Sequence, residues 1–239
     1  MAVLLVAAAV LLLTTLGSMD KLIQAGIEKY GSEMTQAEIK LDKVDLDLTN
    51  GQASLQGLYV GNPEGFETEY LTKLDEIKVA LDLDSITSDP VVIKEIVIQG
   101  PVIKYEMAPG GSNLDAVLKN VRDYVGAGPE GSKKSGEGSG PKMIIDDVYI
   151  RNGTVSLSHK ALKGKNMITA PLPEVHLQDI GREEGGATPG EVGEKIMASI
   201  RSSTVTAVGK LNLDTVKEAG GAIKDSLGKA GDKLKGLFQ

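Results

Sequence analysis

The sequence predicts a mainly β protein with helices (α+β), built on an elongated, curled antiparallel sheet of degenerate hairpin repeats. An N-terminal transmembrane helix is expected before the sheet and a C-terminal amphipathic helix after it. Several runs alternate apolar and polar residues with a period of two, which puts each kind on its own face of a strand. Short turn signals, Asn50-Gly51, Gly100-Pro101 and Asn152-Gly153, recur between those runs. Both ends of the chain carry helical patterns instead.

Residues 1–19 hold no charged side chain, and fifteen of them are apolar. At 1.5 Å per residue they make a helix of roughly 28 Å, enough for a bilayer core. A signal anchor is preferred to a cleaved signal peptide with Thr15-Leu16-Gly17 as its site, because residues 20–32 continue as a helix without a break. In that juxtamembrane helix Leu22, Ile23, Ile27 and Tyr30 share a face, and Gly31-Ser32 ends it.

From residue 37 the period becomes two. Val44, Leu46 and Leu48 alternate with Asp45 and Asp47, Asn50-Gly51 signals a hairpin, and residues 53–60 form the return strand, with Gly57 as a candidate bulge. Residues 77–84 make the next strand. Residues 91–98 and 102–106 form another pair about Gly100-Pro101. A helix over 112–125 follows, capped by Asn113, with Leu114, Val117, Leu118, Val121 and Val125 on one face. Residues 126–140 read as a Gly/Ser-rich linker. Strands resume at 143–150 and 154–159, turning at Asn152-Gly153, then at 174–180. A short helix over 191–200 and a last strand over 203–211 complete a second β region spanning 141–211.

Residues 212–239 read as an amphipathic helix. Residues 219–227 correspond to 230–238 at an eleven-residue spacing, which keeps one stripe aligned along a helix. That stripe is Val216, Ile223, Leu227, Leu234 and Phe238, edged by lysines that include Lys224 and Lys235. Such a helix suits an anionic lipid surface, or docking on the chain's own sheet or on another copy.

The charge of −7 argues against a nucleic-acid partner, which would need a basic surface. The absence of cysteine excludes disulfides and thiolate chemistry. Aromatics are only 3% of the chain, so its core must be aliphatic. His159 and His176, the only histidines, fall on predicted strands as outward or strand-end residues. Asp45/Asp47 and Asp82/Asp84 alternate with apolar residues as a solvated strand face does, and Asp146/Asp147 form a further acidic pair. No nucleophile stands with a base at motif spacing. No catalytic residue, metal ligand or cofactor is therefore assigned, and enzymatic activity is not expected.

The run Asn62-Pro63-Glu64-Gly65-Phe66 is followed by Leu74-Asp75-Glu76-Ile77, Leu83-Asp84-Ser85-Ile86 and Pro90-Val91-Val92-Ile93-Lys94-Glu95-Ile96. Gly100-Pro101, Tyr105-Glu106 and Ser112-Asn113-Leu114 complete a pattern that, with the N-terminal anchor, resembles the AsmA-like proteins of Gram-negative envelopes over residues 1–160. The resemblance implies a single-pass inner-membrane protein with its bulk in the periplasm, where residues 37–125 would be an AsmA-like β region. It also implies an apolar groove that binds or passes phospholipid in envelope biogenesis. The candidate groove residues are Leu46, Leu48, Leu55, Ile77, Val79, Leu81, Leu83, Ile96, Ile98, Ile103, Tyr105, Val148, Ile150, Val155 and Leu157. Whether this face is an open groove or a core closed by the two internal helices stays open at the level of sequence. An alternative is a structural membrane protein that forms a homo-oligomer through sheet edges and terminal helices, or joins other envelope proteins. A glycan- or peptide-binding module ranks below both.

Overall fold

The computed structural model describes residues 19–127, 142–159 and 168–210. The expected anchor, most of the 126–140 linker and the C-terminal amphipathic helix lie outside them. Three helices, α1 (Met19–Thr35), α2 (Asn113–Ala127) and α3 (Pro189–Gly209), lie against one curled, open sheet of eleven strands. The strands are β1 (Ile39–Lys40), β2 (Lys43–Asp47), β3 (Gln52–Val60), β4 (Thr72–Leu81), β5 (Val91–Gln99) and β6 (Val102–Ala108). They continue with β7 (Gly111–Ser112), β8 (Met143–Arg151), β9 (Thr154–His159), β10 (Ile168–Pro171) and β11 (Val175–Ile180).

Register shows that most short strands are halves of longer ones. β5 and β6 run past β4 as a single ribbon: Ile77 pairs with Ile98 before Gly100-Pro101, and Thr72 pairs with Ile103 after it, without a slip. Likewise Val91 pairs with Met143 and Met107 with His159, the same 52-residue offset on both sides of Asn152-Gly153. Neither Gly100-Pro101 nor Asn152-Gly153 is therefore a hairpin turn. Each is a bend inside a continuing strand, and the two bends lie side by side. Of the three expected turns only Asn50-Gly51 closes a hairpin, between β2 and β3, with Asp47 paired to Gln52.

The ribbon 91–108 runs parallel to the ribbon 143–159, because α2 carries the chain back between them. The sheet is therefore mixed, not antiparallel throughout. A hairpin must be antiparallel, whereas a helical crossover returns the chain to the same end.

The register also aligns the bends. Asp42 lies opposite Gly57, Gly57 opposite Asp75, Asp75 opposite Gly100, Gly100 opposite Asn152 and Asn152 opposite Pro173. Gly57, Gly100 and Asn152 have φ of 66°, 60° and 56°. A left-handed residue breaks the straight run of a strand, and Gly and Asn are the residues that adopt this conformation at least cost. One crease thus crosses every ribbon and curls the sheet. At Gly57 the demand is strongest, since a Cβ there would stand 2.0 Å from Asp42 Oδ2.

The concave face is aliphatic and covered. Val44, Leu55, Ile77, Ile98, Ile150 and Val175 make a row across the sheet, and all are buried. α1 packs on β1 and β2, α2 on β6 and β7, and α3 on β9, β10 and β11, while the helices touch in the order α1–α2–α3. Ile23, Ile27 and Met34 form the inner face of α1, which runs past Gly31 to Thr35, where Gln36 at φ 52° ends it. Leu114, Val117, Leu118 and Val121 form the expected inner face of α2.

The strand expected over 203–211 is instead the second half of α3, as far as Gly209. The run Ser203-Thr204-Val205-Thr206 has high β propensity. A capping box of Thr188 and Glu191 starts the helix, however, and Thr204, Ala207 and Val208 are buried at its spacing. Packing outweighs a propensity spread of under ~1 kcal/mol per residue.

Candidate functional site

The structure brings the predicted groove residues together on the concave face, but under helices. Leu55, Ile77, Val79, Leu81, Ile96, Ile98, Ile103, Tyr105, Val148, Ile150, Val155 and Leu157 are all buried. Leu46 is half-buried, while Leu48 and Leu83 stand exposed beyond the ends of β2 and β4. Val216, Ile223, Leu227, Leu234, Phe238, Lys224 and Lys235 lie outside the described residues. Where the crease passes beneath α2 and α3, a cavity of about 30 Å³ remains, walled by Leu58, Leu74, Ile103, Leu114, Ile196 and Ile200. That is room for about one or two waters, far less than an acyl chain needs. The apolar face is thus a closed layer in this conformation, and a chain-like ligand requires the helices to part from the sheet.

What fastens the helices is a set of polar residues whose mutual contact the sequence pattern does not indicate. Glu106 on β6 is 2% exposed, and its carboxylate accepts the backbone N–H groups of Glu67 and Thr68. Asn62 donates to the carbonyl and hydroxyl of Thr68, and accepts from Asn113 Nδ2 at 2.8 Å. Asn113 also donates to Lys104 O and accepts from the Glu106 N–H at 3.1 Å. These bonds fold the loop bearing Asn62-Pro63-Glu64-Gly65-Phe66 onto β6 and the start of α2. The stretches 62–66, Tyr105-Glu106 and Ser112-Asn113-Leu114 thus meet in one polar clasp at the edge of the apolar layer. Their proximity in space was the missing signal, because 51 residues separate Asn62 from Asn113.

The clasp continues into the helices. Ser112 N and Oγ donate to Asp115 Oδ2, and Asp115 N donates back to Ser112 Oγ. The reciprocal bonds cap α2 in the manner of a capping box, with Ser112 in the capping position expected of Asn113. Arg201 of α3 donates to Asp115 Oδ1, and Arg122 of α2 donates to Glu194 of α3 at 2.6 Å. Burial opposes ionisation of Asp115, but the Ser112 hydrogen bonds and the Arg201 guanidinium outweigh it and hold the carboxyl below its usual range. Burial pushes the Tyr105 phenol up.

Elsewhere α1 closes part of the sheet's first edge. Ser32 Oγ accepts from Ile39 N, Glu28 Oε1 accepts from Leu41 N, and Gln24 donates to Leu41 O. These side chains occupy backbone groups that would otherwise invite another strand. The acidic pairs are bound into the surface: Asp45 to Lys43, Asp82 to Lys94, Asp146 to Arg182 and Asp147 to His176. His176 is exposed, stacked on Tyr149 at 4.3 Å, and His159 ends β9. Among the described residues no three His, Asp or Glu side chains are grouped as a metal site would need. No family model and no curated protein matches the chain.

Proposed function

We propose that the chain is an inner-membrane-anchored periplasmic protein of AsmA-like kind that takes a lipid acyl chain against the apolar face of its sheet. The observation that carries this reading is the attachment of the cover. α1 follows directly on the apolar residues 1–18, and α3 leads toward the basic, amphipathic pattern of 212–239. A pull on either segment acts on a helix that covers the aliphatic layer. The walls are aliphatic and suited to methylene chains, and the cavity at the α2–α3 seam is the point where packing is already incomplete.

Energetics limit what such a site does. A methylene leaving water gains about 0.8 kcal/mol, but one leaving a bilayer gains almost nothing, since both environments are apolar. Exchange between membrane and protein is then near thermoneutral, and its barrier is set by the bonds that hold the helices down. Among them, Asn113 ties the start of α2 to β6 through Lys104 O and the Glu106 N–H, and the Arg201–Asp115 and Arg122–Glu194 pairs, each worth ~1 kcal/mol or a little more, tie α3 to α2.

The test is to extract the full chain from membranes in mild detergent and determine its mass under native conditions, with lipid analysis. Photo-crosslinkers are placed at Leu81 and Ile98. Co-purifying phospholipid and lipid crosslinks at Ile98 are expected. Lipid-free protein with neither position crosslinked would overturn the reading.

A further inference from the structure

The three helices of the cover are not held alike. α1 is bonded to the sheet's first ribbon at Ile39 N, Leu41 N and Leu41 O. α2 is bonded at its start, where Asn113 meets Lys104 O and the Glu106 N–H. It is bonded again through Asn120, which donates to Thr35 O at the end of α1. Among the described residues no side chain of α3 hydrogen-bonds to a strand. α3 touches β9, β10 and β11, its inner residues Val192, Ile196, Met197, Ala207 and Val208 are buried, and its polar ties go to α2 instead.

Those ties are spread along the helix. Just before it, Ala187 exchanges two backbone hydrogen bonds with Met143, at 2.8 and 2.9 Å, which pins the residue ahead of the Thr188 cap. A Cβ on Gly190 would stand 2.4 Å from Val125 Cγ2, so the first turn lies flush against the end of α2. Arg122 then reaches Glu194, and Arg201, further along α3, reaches Asp115 at the start of α2. The cavity lies between these two ion pairs. Ile196, Met197 and Ile200 of α3 wall it, opposite Leu114 of α2 and Ile98 and Ile103 of the sheet. Packing is thus incomplete along the stretch of α3 that the two ion pairs bracket.

Resting on the lipid-binding reading above, we infer that the acyl chain enters at the seam between α2 and α3, with α3 as the moving part and the Arg201–Asp115 pair as its latch. α3 pivots at Thr188, beyond the pinned Ala187, as hinges do at the ends of elements. Ile200 lies about 17 Å along the axis from Pro189, so a tilt of about 15° parts it from the sheet by roughly 4 Å, the contact distance of one methylene chain. Gly190 hardly moves in such a tilt. Lifted into water, α3 would expose Ile196, Met197 and Val208, which opposes opening far more than the two partly exposed ion pairs do. An acyl chain fills the gap with methylene groups and removes that penalty, whereas a soluble headgroup does not. The seam opens for a chain and stays shut without one.

The chain has no cysteine, so an introduced pair of thiols can be bridged cleanly. The full chain, with a small diazirine amino acid in place of Ile98, is reconstituted in phosphatidylcholine vesicles, and phospholipid crosslinked at that position is measured. Asp115→Cys with Arg201→Cys, joined by a short bis-maleimide, locks the far part of α3. Val125→Cys with Gly190→Cys locks the pivot end by a direct disulfide, since a Cβ on Gly190 would stand 3.5 Å from Val125 Cβ. The unbridged 115/201 pair should crosslink several-fold more lipid than the unaltered chain, and bridging it should bring the yield down to background. The 125/190 disulfide should leave the yield unchanged. Circular dichroism checks each fold, and Arg122→Cys with Glu194→Cys, joined by the same reagent, repeats the test if the first pair does not fold. Equal yield before and after bridging α3 to α2 overturns the inference and leaves the lipid reading standing. Loss of crosslinking with the 125/190 disulfide also overturns it, since the pivot end would then be moving. No lipid crosslink in any form, the unaltered chain included, overturns both.

Discussion

Replacing Arg201 by alanine tests whether α3 is held to α2 by a charge as well as by apolar contact. The two side chains of the Arg201–Asp115 pair keep 27% and 35% of their surface exposed. A hydrogen bond to a charged group contributes about 1.5–3 kcal/mol, and exposure screens the pair toward the ~1 kcal/mol of surface pairs. Arg201→Ala should therefore lose about 1–2 kcal/mol, moving the urea midpoint by roughly 0.5 M at a slope of about 3 kcal/mol/M. The loss stays below the 3–5 kcal/mol of a fully broken buried pair, because Ser112 N and Oγ still donate to Asp115. The assay is urea unfolding of the full chain, followed by circular dichroism, for Arg201→Ala, Asp115→Ala and the double variant. A coupling energy of about 1 kcal/mol is expected.

The same pair has a pH signature. The folded-state pKa of Asp115 is depressed, so its stabilisation is complete above the unfolded value of about 3.9 and is lost as pH falls through the folded value. Without Arg201 the folded pKa rises toward the unfolded one, and the stability curve below about pH 4 becomes shallower. A coupling energy indistinguishable from zero, with an unchanged acid limb, would refute the reasoning.

Glu106→Gln leaves a side chain that accepts at one oxygen only, opposite two backbone N–H groups that now donate to the Glu106 carboxylate. It should cost about 2–3 kcal/mol and raise hydrogen exchange at the amides of residues 67 and 68. Gly57→Ala combines a left-handed backbone cost of ~1 kcal/mol with collision against Asp42. Adding Asp42→Gly should recover the collision part, and denaturation of the single and double variants reads the difference. The Thr204 hydroxyl is buried with no hydrogen-bond partner among the described residues, so Thr204→Val should be neutral or stabilising by about 1 kcal/mol. A clear drop in thermal midpoint for that variant would mean the hydroxyl is bonded after all.

Much of the fold is local enough to be read along the chain. The alternation of Val44 with Asp45 and of Ile77 with Lys78 places the buried face correctly, and Leu114, Val117, Leu118 and Val121 mark the inner face of α2. The polar clasp was not legible in the same way. Asn62, Glu106 and Asn113 stand in stretches the sequence marks, but that they bond to one another appears only when loop, strand and helix are brought together.

What the sequence by itself determined is which face of each strand and helix is apolar, because side-chain periodicity follows from backbone geometry alone. It also determined where the backbone must bend, because Gly57, Gly100 and Asn152 accept positive φ without a large penalty. Only the tertiary structure decided whether a bend reverses the chain. A glycine with positive φ serves a hairpin tip at Gly51 and a mid-strand crease at Gly100 equally well. The choice lies with partners about fifty residues away, with which a strand that continues past the bend keeps one register on both sides of it. The same long-range pairing makes the sheet mixed, lines the bends into one crease, and draws the helices over the apolar face.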